Sequence, residues 1–177
     1  YVSNVSVVEK LSHWIKDNRS CHLIQISTDH NYDGNGPHTE SNIKIINHYG
    51  FSKYAGEIAA LSVNATVLRT NFFGKSLCPG RQSFSDWSFY ALKRGKNISL
   101  YEDVFFSPLS MLSLSKCIDR VISNPLSGIF NLGSRKGFSK ADFVFKLADI
   151  FNFDNVNLSK VLYKEQGFST PRPFDMR

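Results

Sequence analysis

The stretch CHLIQISTDHNYDGNG, residues 21–36, joins a short apolar run to a segment rich in turn-forming residues. The run 21–27 is typical of a buried strand, and the turn formers predict a loop at its carboxyl end. Ligands of open parallel sheets bind beyond the carboxyl ends of the strands. Ser27, Thr28 and Asp29, where the strand ends, are therefore candidates for a binding site.

The segments around this strand follow an order that is typical of a parallel α/β sheet. A helix is predicted over residues 5–16, a second from Tyr49 to about Ser62, and a second buried strand over residues 65–70. The order of helix, strand, loop, helix and strand is that of parallel α/β folds. The predicted apolar face of the first helix consists of Val7, Val8, Leu11 and Ile15, and the predicted small-residue face of the second consists of Ala55, Ile58, Ala59 and Ser62.

Beyond Phe73 the alternation of elements becomes less regular. Ser139 followed by Asp142 predicts a capped helix start. The Pro-rich tail, residues 167–177, is predicted to be extended. The other predicted elements are a helix over 84–94, a strand over 97–103, a helix over 113–123 and a strand over 128–134.

Composition indicates a folded protein of modest charge. The chain has 177 residues, of which 42% are hydrophobic and 20% charged, and no apolar run approaches the roughly 20 residues that cross a bilayer. The net charge is +6, but Lys and Arg are scattered singly, so neither a nucleic acid nor a membrane partner is indicated. Three widely spaced Cys favour a reducing compartment, the cytoplasm, over a disulfide framework or a zinc site.

Tyr49 and Lys53 are four residues apart near the predicted start of the second helix. This spacing puts two side chains on one helical face, with Cβ atoms about 5–6 Å apart. An ordinary Tyr has a pKa near 10, and a neighbouring ammonium is expected to lower that pKa. The pair alone is common enough to occur by chance. With Thr28 at a strand end, however, it suits carbonyl reduction by a nicotinamide, in which a phenol protonates the ketone oxygen and a hydroxyl orients it.

An ordered set of short motifs supports this interpretation. The sequence resembles the extended short-chain dehydrogenase/reductase family, and within it the dTDP-4-dehydrorhamnose reductase branch of nucleotide-sugar reductases. The resemblance covers nearly the whole chain, and although each motif alone is weak, their order and spacing agree. The matching segments are Ser27–Asp29, Asp33–Gly34, Thr39–Glu40, Tyr49–Lys53, Gly56–Glu57 and Arg69–Thr70, followed by DVFFSP (103–108), GIFNLGS (128–134) and RPFDMR (172–177).

The resemblance implies a role for individual residues. Tyr49 would be the general acid, Lys53 would lower its pKa and hydrogen-bond the nicotinamide ribose, and Thr28 would orient the keto oxygen. The implied cofactor is NADP or NAD, and no metal ligands are predicted. The implied cofactor-binding residues are Ser27, Tyr49, Lys53, Thr70, Asn71 and Phe72; the implied substrate-binding residues are Asp29, His30, Arg81 and Arg172; Arg69 would be a structural charge at a strand end.

The sequence departs from the family pattern in two places. It contains no Gly-rich dinucleotide-binding turn, so we expect it to be the carboxy-terminal portion of a longer protein and to bind NAD(P) poorly by itself. His30 stands where the branch has an aromatic residue that would contact the sugar. The change is either a tolerated loop substitution or a change of sugar specificity.

The resemblance implies an α/β fold: a partial Rossmann-like parallel sheet, with its first strands missing, and a smaller α/β substrate-binding lobe. Residues 1–75 would be the truncated dinucleotide-binding part and 76–177 mostly the lobe, with 103–134 returning to the main sheet. The implied activity is NAD(P)H-dependent reduction of a 4-keto nucleotide sugar, for a surface polysaccharide or similar glycan. The alternatives are an epimerase or dehydratase of the same superfamily and a non-catalytic regulatory subunit. A homodimer is possible.

Overall fold

The structure is a computed structural model that describes residues 1–18, 20–34, 36–154 and 157–165. In these residues the strands are β1 (Leu23–Thr28), β2 (Ala65–Thr70), β3 (Phe72–Phe73), β4 (Ile98–Tyr101), β5 (Phe105–Phe106), β6 (Leu109–Ser110), β7 (Gly128–Leu132), β8 (Phe138–Ser139) and β9 (Leu158–Val161). The α-helices are α1 (Val7–Asp17), α2 (His48–Ala60), α3 (Phe84–Lys93), α4 (Met111–Ser123) and α5 (Lys140–Ile150). Val2–Ser6 is a π-helical turn, and Asp29–Asn31 and Tyr163–Glu165 are 3-10 turns.

The main sheet consists of β1, β2 and β7 in that order, and all its strands are parallel. Thr28 pairs with Thr70, which in turn pairs with Leu132. The carboxyl ends of the strands therefore share one edge of the sheet. Every residue of the central strand β2 is buried, whereas most residues of β1 are half-buried. Among the described residues, β1 pairs with another strand on its β2 side alone.

Helix α1 and the turn before it pack against α2. The predicted helix exists, but its predicted buried face is partly wrong. Val8 and Ile15 are buried, whereas Val7 and Leu11 are each 46% exposed. Val5, in the π-helical turn, joins the buried face instead. The reason is that the preceding turn carries the contact with α2, which rotates the contact surface away from Val7.

The predicted second helix exists as α2, and its small-residue face is not its buried side. Ile58 is 59% exposed, and the buried side chains in this part of the helix are those of Glu57 and Ala60. Gly56 is buried as well, because a Cβ there would collide with the backbone oxygen of Asn4. The helix thus turns its Gly56–Ala60 side towards the turn before α1 and the sheet, and this buried side includes the carboxylate of Glu57.

A second core lies beyond the main sheet. Helices α3 and α5 pack together, and Leu92, Leu100, Phe106 and Val144 are among its most buried members. At the start of α5 the Ser139 side chain accepts a hydrogen bond from the Asp142 amide, which is one of the two bonds of the capping box predicted there. A reciprocal capping box, which was not predicted, starts α3 at Ser83 and Asp86.

The predicted α/β class with parallel strands is confirmed. β7, from the predicted returning segment, pairs with β2, whereas β5 pairs with β8 and β6 with β3. The tail 167–177, with Arg172, lies outside the described residues. None of the helices in the described part has the length and apolarity to cross a membrane.

Candidate active site

Thr28 and Tyr49 meet where the main sheet ends and α2 begins. Asn47 caps α2 by accepting a 2.8 Å hydrogen bond from the Gly50 amide. Gly50 lets the first turn of α2 approach the loop after β1, since a Cβ there would stand 2.6 Å from the backbone oxygen of His30. This close approach places the ring of Tyr49 beside the turn that follows Thr28, and the Thr28 hydroxyl acts to lower the pKa of the phenol.

Three influences set the pKa of Tyr49, and together they raise it above its usual value of 10.0. Burial is the largest and raises the pKa; the interaction with Thr28 lowers it, and the nearby charge of Asp29 raises it. The prediction that Lys53 lowers this pKa is wrong for this structure, because Lys53 has another partner.

Lys53 is directed at strand β1. Its Nζ donates a 2.5 Å hydrogen bond to the backbone oxygen of Ile26. Burial lowers the pKa of Lys53, and the charge of Glu57, one turn further along α2, acts in the opposite direction. Tyr49 and Lys53 therefore share a helix, but the ammonium is held by the strand rather than by the phenol.

Asp29 is a buried carboxyl directly after Thr28. Asn71 donates from Nδ2 to both of its oxygens, at 3.3 and 3.2 Å, and the Thr28 hydroxyl lies 3.4 Å from Oδ1. Burial raises the pKa of Asp29 to about 6, although Asn71 and the charge of Lys140 act to lower it. Asp29 therefore changes its charge close to neutral pH, beside both Thr28 and Tyr49.

His30 lies directly against Tyr49. The two rings are 5.3 Å apart between centroids and nearly perpendicular, at 89°. The His30 amide donates to the Thr28 hydroxyl at 3.2 Å, which holds the turn after the strand. The residue in which this chain departs from the family pattern is thus a direct neighbour of the candidate acid.

The other candidate residues occupy different surroundings. Ser27 is buried, and its hydroxyl donates to the Glu57 carboxylate. Thr70 is also buried, at the end of β2, while Phe72 in β3 is 49% exposed. Arg81 is exposed in the loop before α3. The structure thus brings together Thr28, Asp29, His30, Tyr49 and Asn71, leaves Phe72 and Arg81 at exposed positions, and does not describe Arg172.

A cavity of about 160 Å³ opens at the carboxyl ends of the strands. Its wall includes Asp29, Thr70 and Asn71, but neither Tyr49 nor Lys53. Tyr49 is 52% exposed, and Lys53 is half-buried with its Nζ on the Ile26 oxygen of β1. The phenol and the ammonium therefore lie outside the wall of the cavity, which adjoins Tyr49 through Asp29.

The nicotinamide-ribose end of a dinucleotide fits these residues, because a phenol and an ammonium that can both be reached lie together at a strand end. Held by the Ile26 oxygen, Lys53 already has a hydrogen-bond partner that a ribose hydroxyl could replace. The diphosphate end has no counterpart in this chain, which contains no Gly-rich turn.

Sequence reasoning missed the ion pair below this site. Arg69 and Glu57 are both fully buried, with Nη2 and Oε2 2.6 Å apart. The family motifs contained both residues, and Arg69 was interpreted as a structural charge, but nothing in the sequence joined the two. The available signal was the spacing of Tyr49, Lys53 and Glu57, which are successive fourth residues along one helix.

Comparisons with known proteins place the chain in a family. The family model described as "RmlD substrate binding domain" matches residues 1–176. No curated protein matches the chain.

Among the solved structures with a similar fold are two reductases and one dehydratase. The structure of a hypothetical dTDP-4-dehydrorhamnose reductase from Sulfolobus tokodaii has 26% identity and a TM-score of 0.84, and the match covers 98% of this chain and 60% of that one. The Bacillus anthracis dTDP-4-dehydrorhamnose reductase in complex with NADP has 24% identity and a TM-score of 0.84, and the match covers 98% of this chain and 62% of that one. The dTDP-glucose 4,6-dehydratase from Bacillus anthracis in complex with NAD has 20% identity and a TM-score of 0.77, and the match covers 97% of this chain and 58% of that one.

The chain thus spans about 60% of the length of these reductases. The predicted partial Rossmann-like fold is confirmed by these structural matches. Since the family model covers nearly every residue, the chain belongs to the RmlD substrate-binding domain family.

Proposed function

We propose that the full-length protein reduces the keto group of a 4-keto nucleotide sugar with NADH or NADPH. The observation that carries the proposal is the contact between the first turn of α2, which carries Tyr49, and the turn that follows Thr28 at the carboxyl end of a parallel strand, with Lys53 one turn further along the same helix. The similarity to a hypothetical dTDP-4-dehydrorhamnose reductase supports the substrate class.

The residues would divide the chemistry between them. The bound nicotinamide cofactor supplies a hydride to the carbonyl carbon. Tyr49 gives its phenolic proton to the carbonyl oxygen, so the ketone becomes an alcohol and Tyr49 becomes a phenolate. Thr28 hydrogen-bonds the same oxygen and orients it. Lys53 would hold a ribose hydroxyl of the cofactor in place of the Ile26 oxygen, and its positive charge would then stabilise the new phenolate.

The raised pKa of Tyr49 suits the reductive direction. A phenol with a raised pKa remains protonated at neutral pH, so nearly every molecule carries the proton that the reaction needs. The alkoxide that forms as hydride arrives is a stronger base than phenolate, and the proton therefore moves downhill. Oxidation of the alcohol would instead require the phenolate, which burial and the charge of Asp29 disfavour.

A dehydratase is the second candidate, and Asp29 is the observation that favours it. Elimination of water from a sugar needs an acid at the leaving hydroxyl, and the pKa of Asp29 is raised to about 6, which suits such an acid near neutral pH. His30 argues against a dehydratase, because related dehydratases are expected to carry an acidic residue at this position. Dehydration regenerates its cofactor, so net consumption of NAD(P)H distinguishes the two.

The test is to incubate the full-length natural protein with NADPH or NADH and a series of 4-keto nucleotide sugars. We expect stoichiometric loss of reduced cofactor and formation of the corresponding hydroxyl sugar. Formation of an unsaturated or dehydrated sugar without cofactor loss would support the dehydratase. Absence of turnover with every sugar, in a folded protein that binds cofactor, would support a non-catalytic subunit.

A further inference from the structure

We propose that the buried Glu57–Arg69 pair is a positioning device that fixes the turn carrying Thr28 against the helix carrying Tyr49. The proposal rests on the function proposed above, because it concerns the geometry of that pair. Among the described residues Glu57 and Arg69 form no hydrogen bond with the phenol, although Arg69 also lines the cavity at the strand ends. They act through the residues on both sides of Thr28.

The carboxylate of Glu57 collects donors from three parts of the chain. The Ser27 hydroxyl donates from the end of β1, and Asn31 Nδ2 donates at 2.6 Å from the turn after it. Arg69 in β2 donates from Nε at 3.0 Å and from Nη2 at 2.6 Å. Since Ser27 precedes Thr28 directly and Asn31 follows it by three residues, one carboxylate anchors both ends of the Thr28–His30 segment.

Glu57 transmits this anchoring because it belongs to the same helix as Tyr49. The two residues are eight positions apart, about 12 Å along a helix axis. A segment attached to Glu57 is therefore attached to a rigid element that carries the phenol. Ser27 and Asn31, which donate to Glu57, are therefore held at a fixed distance from the phenol. The position of Thr28 relative to Tyr49 is fixed in the same way.

Arg69 extends the device to the far end of the loop. Its Nη1 donates to the Tyr32 hydroxyl at 2.8 Å and to the backbone oxygen of Glu40 at 2.7 Å. Tyr32 in turn donates to the Asn131 side chain, which belongs to β7. The loop between β1 and α2 is thus tied to β2 through the Arg69 guanidinium and to β7 through Tyr32.

A role in folding alone does not account for this arrangement. Removing a buried ion pair in favour of apolar residues of similar volume is often neutral or stabilising, because burial of charges is costly. Apolar residues provide no directional contacts, however, whereas Glu57 accepts from three side chains whose positions it thereby specifies.

The test disconnects the loop from the pair without breaking the pair. Asn31→Ala removes one donor to Glu57 and leaves Arg69 in place; Asn31 Oδ1 has no hydrogen-bond partner among the described residues, so no acceptor contact is lost. Ser27→Ala does the same from the other side. Lys44→Ala is the matched control, because the exposed Lys44 side chain forms a 2.9 Å ion pair with Asp33 on the same loop and does not contact Glu57 in the described residues.

In the full-length protein we expect Asn31→Ala and Ser27→Ala each to lower kcat at least about tenfold, with KM for NADPH changed less than about twofold. Amides of residues 28–32 should exchange hydrogen at least about tenfold faster, while those of α3 are unchanged. Lys44→Ala should change neither kcat nor the rate of hydrogen exchange in residues 28–32. Unchanged exchange, or faster exchange with unchanged kcat, would overturn the proposal. If the wild type reduces no 4-keto sugar, the proposed function fails, and hydrogen exchange still decides whether the pair positions the loop.

Discussion

Lys53 Nζ donates a 2.5 Å hydrogen bond to the backbone oxygen of Ile26, so its ammonium is bound to strand β1 rather than to the phenol of Tyr49. The pKa of Tyr49 then depends on burial, on Thr28 and on the charge of Asp29. This arrangement keeps the phenol protonated, which is the state that a reductase needs before hydride transfer.

Thr28→Val tests the contribution of the hydroxyl. The substitution keeps the volume but removes the hydroxyl, which lowers the pKa of Tyr49 and which we propose orients the ketone oxygen. We expect kcat to fall about tenfold or more, the equivalent of one lost hydrogen bond in the transition state. Thr28→Ser, which keeps a hydroxyl, should retain most of the activity. Equal rates for the Val and Ser variants would contradict the assigned role.

Asp29→Asn tests the effect of burial on stability. Because burial raises the pKa of Asp29 from 3.8 to about 6, the folded protein holds this proton more tightly than the unfolded chain. Its contribution to stability is present in full below about pH 4 and is lost as the pH rises through about 6. Asn has no titrating carboxyl, so the variant does not show this loss. In urea unfolding, the free energy of unfolding of the variant should therefore rise relative to that of the wild type between pH 4 and pH 7, by at most about 3 kcal/mol.

Asp142 provides a control of opposite sign. The hydrogen bond from Ser139 and the contact with Lys160 lower the pKa of Asp142, so its ionised form stabilises the folded state. Asp142→Asn should lose stability relative to the wild type as the pH rises from acid to neutral. The same pH trend in both variants would show that the Asp29 carboxyl is not buried as described.

Glu57→Gln tests the buried ion pair. The substitution leaves the Arg69 guanidinium buried without its counter-charge, so the free energy of unfolding should fall by about 3–5 kcal/mol. Lys160→Ala removes the exposed ion pair with Asp142 and should cost less than about 1 kcal/mol. Chemical denaturation of both variants provides the comparison, and similar losses would contradict the burial of Glu57 and Arg69.

His30→Tyr tests whether the departure from the family pattern alters specificity. The His30 ring meets that of Tyr49 edge-on at 5.3 Å, so a substituent at position 30 borders the phenol. We expect the ratio of kcat/KM between two 4-keto nucleotide sugars to change several-fold, since contact differences of about 1 kcal/mol correspond to that factor. Unchanged kinetic constants with every sugar would leave His30 as a tolerated loop substitution.

The sequence predicted most of the architecture because its strands have strong local signals. The run 21–27 and the run 65–70 became β1 and β2, and both polar strand ends lie at one edge of the sheet. The helix faces were predicted less well. Val7 and Ile58 have apolar side chains at helical spacing, yet both are exposed, because the turn before α1 shares the contact with α2 and Gly56 lets the backbone of that turn come close.

The electrostatics of the site could not be read from spacing. Tyr49 and Lys53 lie four residues apart, which predicted that the ammonium would act on the phenol. The structure instead gives Lys53 a strand carbonyl as its partner. Spacing along a helix fixes where the Cβ atoms lie, but a lysine side chain has four more rotatable bonds, and its final partner depends on which acceptor in the fold lacks a donor.

The most direct measurement of the central claim is the rate of NADPH or NADH oxidation by the full-length protein and by its Tyr49→Phe variant, with a 4-keto nucleotide sugar at saturation. Tyr49→Phe removes only the phenolic hydroxyl, so cofactor binding should remain while kcat falls by about 100-fold or more. A variant that turns over at the wild-type rate would contradict the assignment of Tyr49 as the proton donor.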